Sequence, residues 1–170
     1  GPLAGFAMLL LPLIAGISMS KVVPGIVERG ELVFGTPLII QGMERIQFPG
    51  VPAGDIYLHP VARAAWVGLL ATALNLFPIG QLDGGHILYA LLGERTKYLS
   101  WVLVAALVPM GHFLAFSWYV WAVILFFFGM RHPSVVGPNL SSPGRKWLAL
   151  IAFVILVLCF TPAPISPLVN

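Results

Sequence analysis

The sequence has very few charged residues. Of its 170 residues, 9% are charged and 59% are hydrophobic, and the mean hydropathy is +0.95. Soluble globular domains contain about 25% charged residues, so a water-soluble fold of this size could not cover its surface with so little polar material. The composition therefore excludes an ordinary soluble domain and predicts a membrane protein whose partner is the lipid bilayer.

Other features are scarce or missing as well. The nine basic residues are scattered along the chain, which excludes a nucleic-acid-binding surface. Cys159 is the only cysteine, so a disulfide within the chain and a cysteine metal site are excluded. The chain begins at Gly1 without an initiator methionine, a basic leader or a cleavage signal, and we expect an upstream part to be missing.

Long apolar stretches make up most of the sequence. They predict an all-α, polytopic bundle of transmembrane helices. A membrane-spanning helix needs about 17–25 largely apolar residues. Residues 20–60 carry four of the six acidic residues together with six glycines and five prolines, and they predict an extramembrane loop with an amphipathic helix over residues 37–46. We treat residues 1–170 as one membrane-embedded domain. Its predicted spans lie near residues 3–19, 61–92 with a break at 77–80, 98–116, 118–130 and 147–160.

The predicted break in the second span is the feature that first suggests a functional site. Pro78 cannot donate a helical hydrogen bond, and the residue before a proline is driven out of the helical conformation. Irregular backbone at membrane depth is tolerated only where protein or a water-filled cavity satisfies its polar groups. Two half-helices that meet at a polar site are therefore expected here.

Asp83 is the only formal charge among residues 64–93. A carboxylate at membrane depth costs about 2.5–3.5 kcal/mol on insertion scales, so it persists only with a cation, a metal ion or water beside it. One interpretation is that Asp83 caps the second half-helix. The other is that it binds a ligand, and the two are compatible. We expect its carboxylate to face a polar cavity inside the bundle.

Residues 75–86, with the sequence Asn-Leu-Phe-Pro-Ile-Gly-Gln-Leu-Asp-Gly-Gly-His, carry a family resemblance. This segment resembles the Asn-Pro-Asp-Gly motif of the site-2 protease family, intramembrane zinc metalloproteases, and looks most like their bacterial and chloroplast branch. Residues 1–6 are similar to the opening of the span that follows the family's zinc-binding helix. Residues 160–165 are similar to a common ending of the last span, so the resemblance covers the whole chain.

The resemblance implies roles for the two polar residues on either side of the break. Asp83 would be the third protein ligand of a catalytic zinc, whose remaining position is open for water. Asn75 would donate a hydrogen bond to the backbone of the unwound substrate, and Pro78 would shape the break that receives it. An interhelical hydrogen bond is the alternative for Asn75.

The residues that follow Asp83 would support the site. Gly84 and Gly85 would allow close approach of the backbone. His86 stands three residues after Asp83, a spacing that permits both to bind one metal ion on one helical face. The family does not use its residues in this way, and the resemblance implies that His86 either lies near the zinc without binding it or has a packing role.

The other half of the family's zinc site is absent from this sequence. In the family, two histidines and a general-base glutamate come from an H-E-x-x-H motif, and none of the four histidines here (His59, His86, His112 and His132) precedes a glutamate. The chain is therefore expected to be the C-terminal part of a protease that cuts transmembrane proteins, with no catalytic base of its own. The resemblance places it in a multi-pass integral protein of a bacterial inner membrane.

Two other functions remain possible on the sequence. An inactive scaffold related to the protease would share the same motif. A secondary transporter also uses a broken helix with an acidic residue near the membrane midplane, although transporters usually pair two such breaks. A helix-packing face is also suggested by the spacing of Gly1 and Gly5.

Overall fold

The computed structural model describes residues 1–26, 32–129 and 143–167. Most of these residues are helical, which confirms the all-α class. A 3-10 turn at Gly93–Arg95 leads into α5, and a π-helical turn at Leu125–Gly129 continues α6. The helices are α1 (Pro2–Ser18), α2 (Leu38–Gln47), α3 (Pro60–Leu76), α4 (Asp83–Leu92), α5 (Thr96–Phe113), α6 (Ser117–Ile124) and α7 (Pro143–Cys159).

Within the described ranges, two short antiparallel strand pairs that the sequence does not predict connect the loop segments. Strand β1 (Lys21–Val22) pairs with β3 (Ile56–Tyr57), and this pairing brings the two ends of the predicted loop together. Strand β2 (Leu32–Phe34) pairs with β4 (Ile165–Pro167). The second pair fastens the segment after α7 to the segment before α2.

Helices α1 and α3 pack closely at Gly16. A Cβ atom on Gly16 would overlap the backbone of Ala62, so the two helices can approach this closely only because residue 16 has no side chain. The packing face suggested at Gly1 and Gly5 is not found in the described part of the chain. No atom of a neighbouring element lies within 4 Å of the Cβ position on Gly5.

The start of α3 is fixed by local capping and by the end of α1. His59 precedes the helix, Pro60 is its first residue, and the His59 Nδ1 accepts a hydrogen bond from the Val61 amide at 3.3 Å. The Ser20 hydroxyl donates to the Gly16 carbonyl at 2.8 Å and accepts from the His59 amide at 3.0 Å. These contacts set the position from which α3 runs toward the break.

The described part of the bundle contains two apolar cores that meet at the break. One joins α1, α2, α3 and α7 and includes Leu13, Leu69 and Leu76. The other joins the break with α5 and α6 and includes Phe77 and Ile79. Because the neighbouring residues Leu76 and Phe77 belong to different cores, the end of α3 is held from both sides.

No helix among the described residues is both long enough and apolar enough to cross a membrane. The crossing of a bilayer by five spans therefore stays a prediction of the sequence. Residue 130, the last of the predicted fourth span, lies outside the described residues.

Candidate functional site

The chain leaves helical conformation between α3 and α4. Phe77 takes an extended conformation with φ −56° and ψ 132°, as expected for a residue that precedes proline. Gly80 has a φ of +50°, a left-handed conformation that glycine adopts without strain. Pro78 and Gly80 therefore account for the end of α3 and for the turn that leads to Asp83, where α4 begins.

Phe77 anchors the break in an aromatic cluster. Its ring centroid lies 6.1 Å from that of Trp118 and 5.9 Å from that of Phe160, and the last two rings are 5.7 Å apart. The Trp118 indole Nε1 donates a hydrogen bond to the Pro162 carbonyl at 2.6 Å. The break is thus packed against α6 and against the segment that follows α7.

Two glycines let the start of α4 fold back onto the break. A Cβ atom on Gly84 would overlap the carbonyl of Leu76, and one on Gly85 would overlap the carbonyl of Gly80. Both glycines are buried. Any side chain at either position would push α4 away from the end of α3.

A hydroxyl group from α5 also reaches the break. The Ser100 Oγ lies 3.5 Å from the Gly80 amide nitrogen and 3.5 Å from the Pro78 carbonyl oxygen. Ser100 is fully buried. The sequence does not single out Ser100, because both of its partners are backbone atoms about 20 residues away.

Asp83 is the first residue of α4, and its side chain is exposed. The predicted enclosure of its carboxylate in a polar cavity is therefore wrong for the described residues. The carboxylate lies at the N-terminal ends of two helices: a Cβ atom on Gly1, just before α1, would lie 3.3 Å from Asp83 Oδ2. Helix N-termini carry partial positive charge, which favours an anion at this place.

The capping alternative for Asp83 is not found. Leu82 is the residue before the helix, and no side chain caps α4. Within the described residues, the Asp83 carboxylate has no hydrogen-bond or ion-pair partner. Its oxygens are therefore free to bind a group from outside this part of the chain.

Asn75 and His86 are also exposed. Asn75 stands in the last turn of α3, and its amide has no hydrogen-bond partner among the described residues, so the interhelical alternative is not seen there. His86 stands three residues after Asp83 in α4. No group of three or more histidine, cysteine, aspartate or glutamate side chains that could hold a metal ion occurs in the described ranges.

A largely apolar cavity of about 520 Å³ adjoins the break. Phe77 and Pro78 form one side of it, and Gln41 of α2 is among its few polar residues. Residues of α5 and α7 complete the lining, among them Leu103 and Leu156. Phe160 of the aromatic cluster also lines the cavity, which therefore lies between the break, that cluster and helices α2, α5 and α7.

A sequence model of peptidase family M50 matches residues 1–118 and so includes the whole break and the helices on both sides of it. The chain belongs to peptidase family M50. The resemblance to site-2 proteases that residues 75–86 predict is thereby confirmed. The roles of the individual M50 site residues in this chain stay predictions.

Several curated relatives of this M50 chain carry protease names. "Probable zinc metalloprotease EGY2, chloroplastic" of Oryza sativa subsp. indica is 26% identical over 179 residues, covering 98% of this chain and 32% of the relative. "Probable zinc metalloprotease EGY1, chloroplastic" of Arabidopsis thaliana is 28% identical over 177 residues, covering 95% and 31%. The chain spans about a third of the length of these relatives. No solved structure gives a significant match.

Proposed function

We propose that this M50 chain is the C-terminal part of a zinc metalloprotease that cuts membrane proteins within the bilayer. The observation that carries the proposal is the Asp83 carboxylate. It is the only charge among residues 64–93, it follows the helix break directly, and it has no partner in the described part of the chain. Membership of family M50 supports the proteolytic class of the reaction.

Asp83 would serve as one zinc ligand. A carboxylate without a partner among the described residues can supply one ligand, but a catalytic zinc usually has three protein ligands. The described residues hold no group of three candidate ligands, so the other ligands and the general base would come from outside them. Zinc, when bound, makes water acidic enough to supply hydroxide near neutral pH.

The break would present a substrate to this site. Asn75, exposed and unpaired among the described residues, would donate its amide N–H to a carbonyl of the unwound substrate backbone. Pro78 would keep the break extended, and Gly84 and Gly85 would hold α4 close to it. His86 would lie beside the zinc ligand Asp83 without binding the metal.

The composition and the surface support a membrane location. Large apolar side chains are widely exposed, with Met8 and Leu11 at 76% and Phe113 at 79% of their full accessible area. Exposed apolar surface of this extent marks contact with lipid or with other protein. The relatives are named chloroplastic, and they give no support to the predicted bacterial inner membrane. We therefore propose a membrane location and assign no particular organelle.

The experiment uses the full-length protein in detergent with a single-span membrane protein as the model substrate. We expect cleavage to stop when a chelator removes the metal and to return when zinc, but not magnesium, is added back. Cleavage that is unaffected by chelation contradicts the zinc mechanism. Absence of cleavage by folded, zinc-loaded protein supports the scaffold alternative.

A further inference from the structure

The Ser100 hydroxyl contacts two backbone groups of the break between α3 and α4. It lies 3.5 Å from the Gly80 nitrogen, which can donate to it, and 3.5 Å from the Pro78 carbonyl oxygen, to which it can donate. Ser100 has no exposed surface, and Gly80 is buried as well. The contact therefore lies inside the protein, between α5 and the break.

Other hydroxyls on helices of this chain behave differently. Serine and threonine within helices commonly donate to a carbonyl three or four residues earlier in the same helix. The hydroxyls of Ser18 and Thr72 do so at 2.8 Å each. Thr96, one turn before Ser100 and also fully buried, has a hydroxyl without a partner among the described residues. Ser100 alone among these four reaches another element.

The break needs such a partner. Outside a helix, the Gly80 N–H and the Pro78 carbonyl have lost their helical partners, and buried polar groups that stay unpaired are costly. A serine hydroxyl can donate one hydrogen bond and accept another at the same time. At 3.5 Å from each group, one side chain of α5 is placed to serve both and to tie the conformation of the break to a neighbouring helix.

We propose that Ser100 is a positioning residue that fixes the break and thereby sets where Asp83 stands relative to Asn75. The inference rests on the proposed function, since it assigns Ser100 a task in presenting those two side chains. Ser100 is buried and touches neither zinc nor substrate. Both of its contacts, at 3.5 Å, are longer than an ordinary hydrogen bond, which leaves room for them to shorten when substrate binds.

The test compares two hydroxyl deletions in the full-length protein, Ser100→Ala and Thr72→Val. Thr72 is a matched control because it is also buried and its hydroxyl bonds only within its own helix. Hydrogen exchange of residues 77–82 reports the break directly, and kcat and KM are measured with the model substrate. We expect Ser100→Ala to speed exchange in this segment and to lower kcat by about tenfold with little change in KM, since mutations of residues that orient a metal ligand typically cost 10–100-fold. Thr72→Val should do neither.

Several outcomes overturn the inference. Equal exchange of residues 77–82 in Ser100→Ala and the parent protein shows that Ser100 does not hold the break, whether or not the protein is a protease. Faster exchange with unchanged kcat shows that the break does not position the site. If Ser100→Ala does not fold, Ser100→Cys is used instead, because cysteine is close to serine in size and has a weaker hydrogen-bonding group. Hydrogen exchange of residues 77–82 at the parental rate in Ser100→Cys would then contradict the inference. Failure of the proposed function is seen separately, as absence of zinc-dependent cleavage by the parent protein.

Discussion

Asn75 and Asp83 stand on the two sides of one helix break, the first in the last turn of α3 and the second as the first residue of α4. Both side chains are exposed, although the backbone between them is held by buried contacts of Phe77, Ile79 and Gly80. A rigid turn that carries two free polar side chains is suited to hold a substrate group and a metal ion at a fixed separation.

The two side chains should therefore be separable by mutation. On the proposed function, Asn75→Ala would remove one hydrogen bond to the substrate, worth about 0.5–1.5 kcal/mol, and should lower kcat/KM by up to about tenfold. Zinc content should stay at the parental level because Asn75 is not a ligand. Gln47→Ala, which removes an exposed amide at the end of α2, is the control. If Asn75→Ala lost zinc in proportion to its loss of activity, the assignment of Asn75 to substrate binding would be contradicted.

Gly84 should not tolerate a side chain. A methyl group there meets the Leu76 carbonyl, a backbone atom that cannot rotate away, so Gly84→Ala should lower the free energy of unfolding by about 1–3 kcal/mol or more. Gly42→Ala is the control, because no atom lies within 4 Å of its Cβ position in α2, and it should be stabilising by about 0.5–1 kcal/mol. Denaturant titration in detergent measures both. Similar stabilities of the two variants would mean that α4 does not fold back on the break.

Glu44 of α2 makes the stability of the folded protein depend on pH. It is 5% exposed, and its carboxyl has no hydrogen-bond or ion-pair partner among the described residues. Burial raises the pKa of this carboxyl from 4.5 to about 7. The folded-state pKa lies above the unfolded one. The stability that Glu44 contributes is therefore fully present below about pH 4.5 and is lost as the pH rises through about 7.

The Glu44→Gln variant tests this dependence. At pH 8 it should be more stable than the parent by about 1–2 kcal/mol, because it carries no buried charge and water still screens part of that charge in the parent. At pH 4 the advantage should vanish, since the parental carboxyl is then neutral. Thermal unfolding at the two pH values measures the difference, with the exposed Glu94→Gln as control. If Glu44→Gln were more stable than the parent by the same amount at both pH values, titration of Glu44 could not be the cause of the difference.

Much of the helical framework follows from local sequence, because apolar runs and prolines act over a few residues. Pro78 and Gly80 mark the break in the sequence, and the structure has non-helical backbone there. The strand pairs could not be predicted in the same way. Each strand is two or three residues long, and β2 pairs with β4 from the far end of the chain, so no local alternation indicates them.

The site itself was only partly predictable. Asp83 and Asn75 are conspicuous as polar residues among apolar ones. Ser100 is not conspicuous, because its partners are backbone atoms about 20 residues away, whose positions depend on how α5 packs against the break. The predicted enclosure of Asp83 is wrong for the same reason. Whether a side chain is enclosed depends on which distant elements pack around it.

The measurement that tests the account most directly is the zinc content and cleavage rate of the full-length protein with Asp83→Ala and with His86→Ala, each matched for folding. Asp83→Ala should abolish cleavage and lose zinc, because a ligand is removed from a site that needs three. His86→Ala should keep most of its zinc and lose at most about 10–100-fold in rate, as for a residue beside a ligand. Parental cleavage and zinc content in Asp83→Ala would contradict the central claim.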